Sequence, residues 1–170
     1  MTSTARSSRY DASAQQASRD VMAAAASPVA VVTALDGDRP HGTTVSAYMS
    51  LSLTPPMVLV SLDERSHLLA VIRRGGRFGL NVLGAHQAAL ASVFARPGPG
   101  KFDGVAWPSE ELPRLPDAAA WVAAEVADWV NAGDHTVLLA RVTAAEPGEG
   151  SPSPLTYHRR SFGTHTPLAH

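Results

Sequence analysis

Gly42-Thr43-Thr44-Val45-Ser46-Ala47-Tyr48-Met49-Ser50-Leu51-Ser52-Leu53-Thr54-Pro55-Pro56 carries six hydroxyl side chains, Tyr48 not counted, in what reads as a strand and the loop behind it. Thr44, Ser46, Ser50 and Ser52 share one parity, so a strand would aim them at one side. A row of neutral donors beside backbone N–H groups can bind a phosphate or the polar edge of a ring without a metal. Composition alone favours a plainer reading, an edge strand rich in Thr and Ser that faces solvent.

Around this stretch the pattern is one of short strands. PVAVVTAL (28–35) is a β-branched run, and Asp36-Gly37-Asp38 is a hairpin turn signal, so His41 to Met49 reads as the returning strand. Leu51 to Pro56 reads as a loop that Pro55-Pro56 holds extended. MVLVSL (57–62) is a buried strand. SHLLAVIRR has apolar residues at helical spacing, with Ser66 as cap and Gly75-Gly76 as stop. FGLNVL (78–83) is a strand and HQAALASVFA (86–95) a short helix, followed by a Pro- and Gly-rich loop from Arg96 to Pro116. In AAWVAAEVADWV (119–130) alternation of Trp121, Ala123, Ala127 and Trp129 favours a strand, although Val122, Val126 and Trp129 also fit a helix. HTVLLARVTAAE (135–146) is a strand, and LTYHRRSF (155–162) is a last short segment. Upstream, Ala14 to Ala26 is an Ala-rich helix ended by Pro28, behind a polar tail over residues 1–16. Six or seven strands with two or three short helices make a mainly β chain, and the hairpin spacing suggests a closed antiparallel barrel.

Composition narrows the function. The 170 residues suit one domain, with 45% hydrophobic and 17% charged residues. A net charge of −1 gives no reason to expect nucleic acid or an anionic membrane as partner. No apolar run is long enough to span a bilayer, and the N-terminus lacks a signal-peptide core, so a cytoplasmic location is expected. Without cysteine, disulfides, thiolate nucleophiles and cysteine-held metals are excluded. The seven histidines show no metal-ligand spacing, and no metal site is expected. Gly-x-Ser-x-Gly and Gly-x-Gly-x-x-Gly are absent, and Gly98-Pro99-Gly100-Lys101 fails as a phosphate loop.

Six segments in order resemble the flavin reductase-like family, whose fold is the FMN-binding split barrel. They are SRDVMAAAASPVAVVTA, PHGTTVSAYMSLSLTPPMVLVSL, RFGLNVL with HQAALASVFA, Lys101-Phe102-Asp103-Gly104, Ala132-Gly133-Asp134-His135-Thr136, and Pro154-Leu155-Thr156-Tyr157-His158-Arg159-Arg160-Ser161-Phe162. The resemblance spans roughly residues 18–165 and implies one such domain over 17–165, a six- to seven-stranded antiparallel Greek-key split barrel with short flanking helices.

The resemblance also implies a site. Thr43, Thr44, Val45 and Ser46 would face the isoalloxazine and ribityl region, with Ser50, Leu51 and Ser52 along the same groove. Ser61, Leu62 and Asp63 would follow on the next strand, and Asn81 would join the cofactor set. Ser66 and His67 would meet the phosphate, where the free N–H groups of a helix start favour an anion. Lys101 and Phe102 would close over that side, and Tyr157 with Arg159 (or Arg160) would contact cofactor or dinucleotide. His135 is the catalytic candidate, placed where it would orient a nicotinamide on the flavin. Ala47, Tyr48 and Arg141 depart from the usual family pattern. The implied activity is NAD(P)H-dependent reduction of FMN or FAD for a partner monooxygenase, by a homodimer. A flavin-binding module or carrier with little turnover, and a split-barrel enzyme acting on another small molecule, stay open as alternatives.

Overall fold

The computed structural model describes residues 12–107, 112–150 and 153–168. Among the described residues ten strands form a seven-stranded antiparallel sheet and a small three-stranded one, with three α-helices beside them. Helix α1 is Ala12–Met22, strand β1 Ser27–Pro28, β2 Ala30–Asp36, β3 Arg39–Val45, β4 Tyr48–Leu53 and β5 Pro56–Asp63. Helix α2 is His67–Gly75, β6 Arg77–Val82, α3 Ala88–Ala95, β7 Ala120–Ala132, β8 His135–Pro147, β9 Leu155–His158 and β10 Ser161–Thr164.

The apolar run of β2 is explained by burial on both faces. Ala30, Val32 and Ala34 enter a core with Val60, Phe78, Leu80, Leu138 and the α2 residues Leu68, Leu69, Val71 and Ile72. Val29 and Val31 face the other way, into a second core with Leu83, Ala91, Phe94, Leu115 and Leu155. A strand buried on both sides shows a continuous apolar run rather than alternation. The α2 spacing 68, 69, 71, 72 is one helical face. The helix stops at Gly76, whose φ of 68° lies in the left-handed region, with its N–H donating to the Ile72 carbonyl.

The large sheet runs β3-β2-β6-β7-β8-β5-β4. Its two edge strands, β3 and β4, are consecutive in the chain and separated only by Ser46 and Ala47. Three Cα–Cα steps cannot exceed about 11 Å. The sheet must therefore curl until its edges meet at that corner. Beyond the corner β3 and β4 do not pair, so the expected closed barrel is corrected to an open seam. The mainly β, split-barrel class stands.

Other boundaries also move. Helix α1 runs from Ala12 to Met22, so it starts two residues and ends four residues earlier than expected and takes part of the polar tail. Residues 1–11 of that tail lie outside the described residues. The expected single strand His41–Met49 is broken by the corner, and the expected loop Leu51–Pro56 is strand as far as Leu53, paired to β5. Pairing with the apolar β5 outweighs the Pro-Pro signal, leaving only Thr54-Pro55 as the turn. A register shift between Ser50 and Ser52 makes Leu51 the irregular residue. The closing segment divides into β9 and β10 about a turn in which Arg159 and Arg160 take φ of 47° and 65°.

Candidate functional site

A cleft of about 270 Å³ opens at the seam. Thr43 to Ala47 form one wall, from the end of β3 and the corner, and Ser61, Leu62 and Asp63 of β5 form the other. Ser66, before α2, and His135, opening β8, complete it. β3 is an edge strand, so its outward N–H and C=O groups have no strand partner. The cleft therefore offers a backbone hydrogen-bonding edge, the positive end of α2 and a few hydroxyls.

Ser66 holds the N-cap position with extended backbone (φ −66°, ψ 124°), yet its hydroxyl makes no capping bond. That leaves both the hydroxyl and the first-turn N–H groups for a ligand. Thr44 borders the cleft, but its hydroxyl donates to the Ala91 carbonyl at 2.7 Å. The Asp63 carboxylate takes both the backbone N–H and the guanidinium of Arg65, at 2.7 and 2.9 Å, which holds its pKa far below the usual carboxylate range. His135 Nδ1 lies 2.8 Å from Asp134 Oδ1. The His135 hydrogen bond lowers the Asp134 pKa, so Asp134 is a carboxylate acceptor and Nδ1 carries the proton. Nε2 is the nitrogen left for a ligand.

The structure brings together nine of the residues expected at the site: Thr43, Thr44, Val45, Ser46, Ser61, Leu62, Asp63, Ser66 and His135. Ala47 joins them, though the sequence marked it only as a departure from the family pattern. The remaining expected residues lie elsewhere. Ser50, Leu51 and Ser52 are on β4 beyond the corner, where the Ser52 hydroxyl accepts the Thr54 N–H at 3.2 Å. The one-sided hydroxyl row fails because the corner and the register shift each break the alternation. His67 stands next to Ser66 with its ring 4.7 Å from that of His41, outside the cleft wall.

Asn81 is fully buried and structural. Its amide donates to Val31 O and Thr33 Oγ1, and its Oδ1 accepts the Leu115 N–H at 2.7 Å. Lys101 donates to the Gly42 and Phe94 carbonyls at 3.1 and 3.0 Å, and burial lowers its pKa. Phe102 packs edge-on against Phe94 at 4.9 Å. Lys101 and Phe102 therefore tie the segment after α3 to α3 and β3, and neither lines the cleft. Tyr157 lies against Phe162 on the small sheet. Arg160 pairs with Asp20 at 2.9 Å, whereas the Arg159 guanidinium has no ion pair among the described residues.

The donor set suits an anionic, partly aromatic ligand. Among the described residues no group of three or more His, Asp or Glu is placed to hold a metal, and no helix is long and apolar enough to cross a membrane. Residues 22–166 match the flavin reductase like domain. The chain belongs to this family. It is 42% identical, over 150 residues, to the reductase component of the 4-nitrophenol 4-monooxygenase/4-nitrocatechol 2-monooxygenase of Rhodococcus opacus, covering 88% of this chain and 80% of that one. The styrene monooxygenase flavin reductase of Pseudomonas putida S12 superposes with a TM-score of 0.81 at 33% identity, over 89% of this chain and 98% of that one. The NADH:FAD oxidoreductase of Streptomyces globisporus, solved with NAD and FAD fragments, gives 0.86 at 27% identity, over 94% and 98%.

Proposed function

We propose that this flavin reductase-like protein is an NAD(P)H-dependent reductase of FMN or FAD that hands reduced flavin to a partner monooxygenase. The observation that carries the reading is the seam cleft, where a free backbone edge, an uncapped helix start and an oriented histidine converge. Flavin, when bound, supplies the redox chemistry by accepting a hydride from a nicotinamide. The chain's part is binding and alignment. The outward peptide groups of Thr43 to Ser46 suit the polar edge of the isoalloxazine. Ser66 and the first turn of α2 suit the phosphate. His135, with Nδ1 fixed by Asp134, presents Nε2 to the nicotinamide and holds it within the roughly 3–3.5 Å at which orientation dominates the rate.

A cleft of about 270 Å³ falls just under the usual ligand-pocket range of roughly 300–1,000 Å³, so a flavin would lie along it, partly exposed. That suits a flavin that leaves after reduction. A homodimer is part of the proposal: Met49, Leu51 and Leu53 are 55, 41 and 85% exposed on edge strand β4, an apolar edge that a second copy would cover. A cytoplasmic location fits the need to meet NAD(P)H. The test follows NADH and NADPH absorbance with FMN and with FAD, each against a flavin-free control. Flavin-dependent oxidation is expected; none with any pairing removes the reductase reading and leaves a carrier.

A further inference from the structure

His135 opens β8 immediately after the β7–β8 turn at Gly133, a place where hairpins fray. Its neighbour Thr136 is fully buried and faces away from the cleft into a polar clasp. The Thr136 hydroxyl donates to the Glu64 carboxylate and accepts from Arg73 Nη2 at 3.1 Å. Arg73, from α2, also donates to Glu64 at 3.2 Å. The Glu64 backbone N–H donates to the Asp134 carbonyl at 2.9 Å, and Asp63 is the register partner of His135 across β5 and β8. One residue of the β5–α2 turn therefore grips the chain on both sides of His135, once through its main chain and once through its side chain.

We propose that Glu64, Arg73 and Thr136 form a positioning clasp for His135, tying the histidine to the same turn that carries Ser66. Glu64 is the hinge pin. Its carboxylate is charge-balanced by Arg73 on α2, and Ser66 is the N-cap of α2, so the phosphate end of the cleft and the nicotinamide end move as one body. None of the three residues lines the cleft. They act through His135, and they determine how well it holds a nicotinamide, not how tightly the flavin binds. The inference rests on His135 lying in the working site.

The test uses Thr136→Val, Thr136→Ser, Glu64→Gln, His135→Ala and the double variant His135→Ala/Thr136→Val. In flavin-free protein, amide exchange at residues 134–136 should rise about tenfold in Thr136→Val and Glu64→Gln and stay near wild type in Thr136→Ser, as loss of one charge-assisted bond implies. In turnover, Thr136→Val should raise the KM for NADH about tenfold with the FMN Kd within about twofold of wild type, and Thr136→Ser should restore it. In the His135→Ala background Thr136→Val should add nothing, because residues acting as one unit are non-additive. Equal losses from Thr136→Val in both backgrounds, or unchanged exchange in Thr136→Val and Glu64→Gln, overturn the clasp. A His135→Ala variant with wild-type kinetics instead overturns the placement of His135, which is a separate failure. If Thr136→Val does not fold, Glu64→Gln on the half-exposed side of the clasp gives the same readings.

Discussion

Ser66→Asp should raise the stability of the protein and lower its affinity for FMN, and the opposite signs make it a sharp test of where the phosphate lies. Ser66 occupies the N-cap of α2 without using its hydroxyl as a cap. Asp at that position accepts from the first-turn N–H groups, worth about 0.5–1 kcal/mol to the fold. The same carboxylate would then stand where the phosphate binds. At a separation of about 5 Å, a charge of −1 against a phosphate of roughly −2 costs about 1.7 kcal/mol at the dielectric of water and about 6–7 kcal/mol at an effective dielectric of 20. The cleft is open, so the lower figure governs, with about 1 kcal/mol more for helix N–H groups now occupied. The sum of about 2.5–3 kcal/mol is a loss of roughly 70–150-fold. Flavin fluorescence titrations with FMN and with riboflavin, which lacks the phosphate, read the effect. Riboflavin affinity should change by less than about threefold, and thermal unfolding should move upward or stay. Equal losses for FMN and riboflavin, or none for FMN, would refute the placement of phosphate on α2.

Asn81→Ala should destabilise the protein by about 2–4 kcal/mol, because it leaves the Leu115 N–H buried without an acceptor and opens a small void. Urea unfolding reads the loss, and FMN affinity of the folded fraction should be unchanged; a selective loss of FMN binding would return Asn81 to the site. Gly42→Ala should cost about 1–3 kcal/mol in the same assay, since a Cβ there would stand 2.7 Å from the Phe94 ring; wild-type stability would mean that α3 shifts freely. The pKa of His41 is lowered, first by burial and then by the facing His67, with Arg74 and Arg39 adding to it and Asp36 opposing. The unfolded chain therefore binds more protons than the native state just below pH 6.5, and stability falls as pH drops through that window. His41→Gln should flatten the slope of unfolding free energy between pH 7 and about 5.5; an unaltered slope would assign the titration elsewhere. Leu53→Lys on the β4 edge should shift the protein toward monomer in light scattering, whereas an unchanged mass would exclude that edge from the dimer contact.

The strands were legible wherever burial was two-sided or strictly alternating. Val29 to Ala34 announce themselves because every residue is buried, and Met57 to Leu62 because buried Val58, Val60 and Leu62 alternate with half-buried neighbours. Trp121 to Trp129 resolves as strand because β6 and β8 flank it. The corner at Ser46–Ala47 carries no turn signal of Gly, Pro or Asn, so the sequence reads straight through it. The hydroxyl row was misread for the same reason: parity holds along one strand, and the segment is two. Asn81 and Lys101 enter the expected site through the family resemblance, which carries position and not hydrogen-bond partners. Asn81 reaches Pro113 and Leu115, and Lys101 reaches Gly42 as well as the nearer Phe94. Only the folded chain shows that these polar groups are already satisfied. His135 was legible by its Gly-Asp-His setting, but the Glu64–Arg73–Thr136 clasp was not, since it joins three separate segments.

The two-residue link between β3 and β4 brings the two edges of the large sheet to one corner. Each strand is paired on its far side only, β3 to β2 and β4 to β5, so the gap lies between two free edges that share a corner and do not pair beyond it. In the proposed cycle the unpaired rungs along β3 would take the polar edge of an arriving flavin where a neighbouring strand would otherwise pair, and no strand would have to unpair for it to enter or leave.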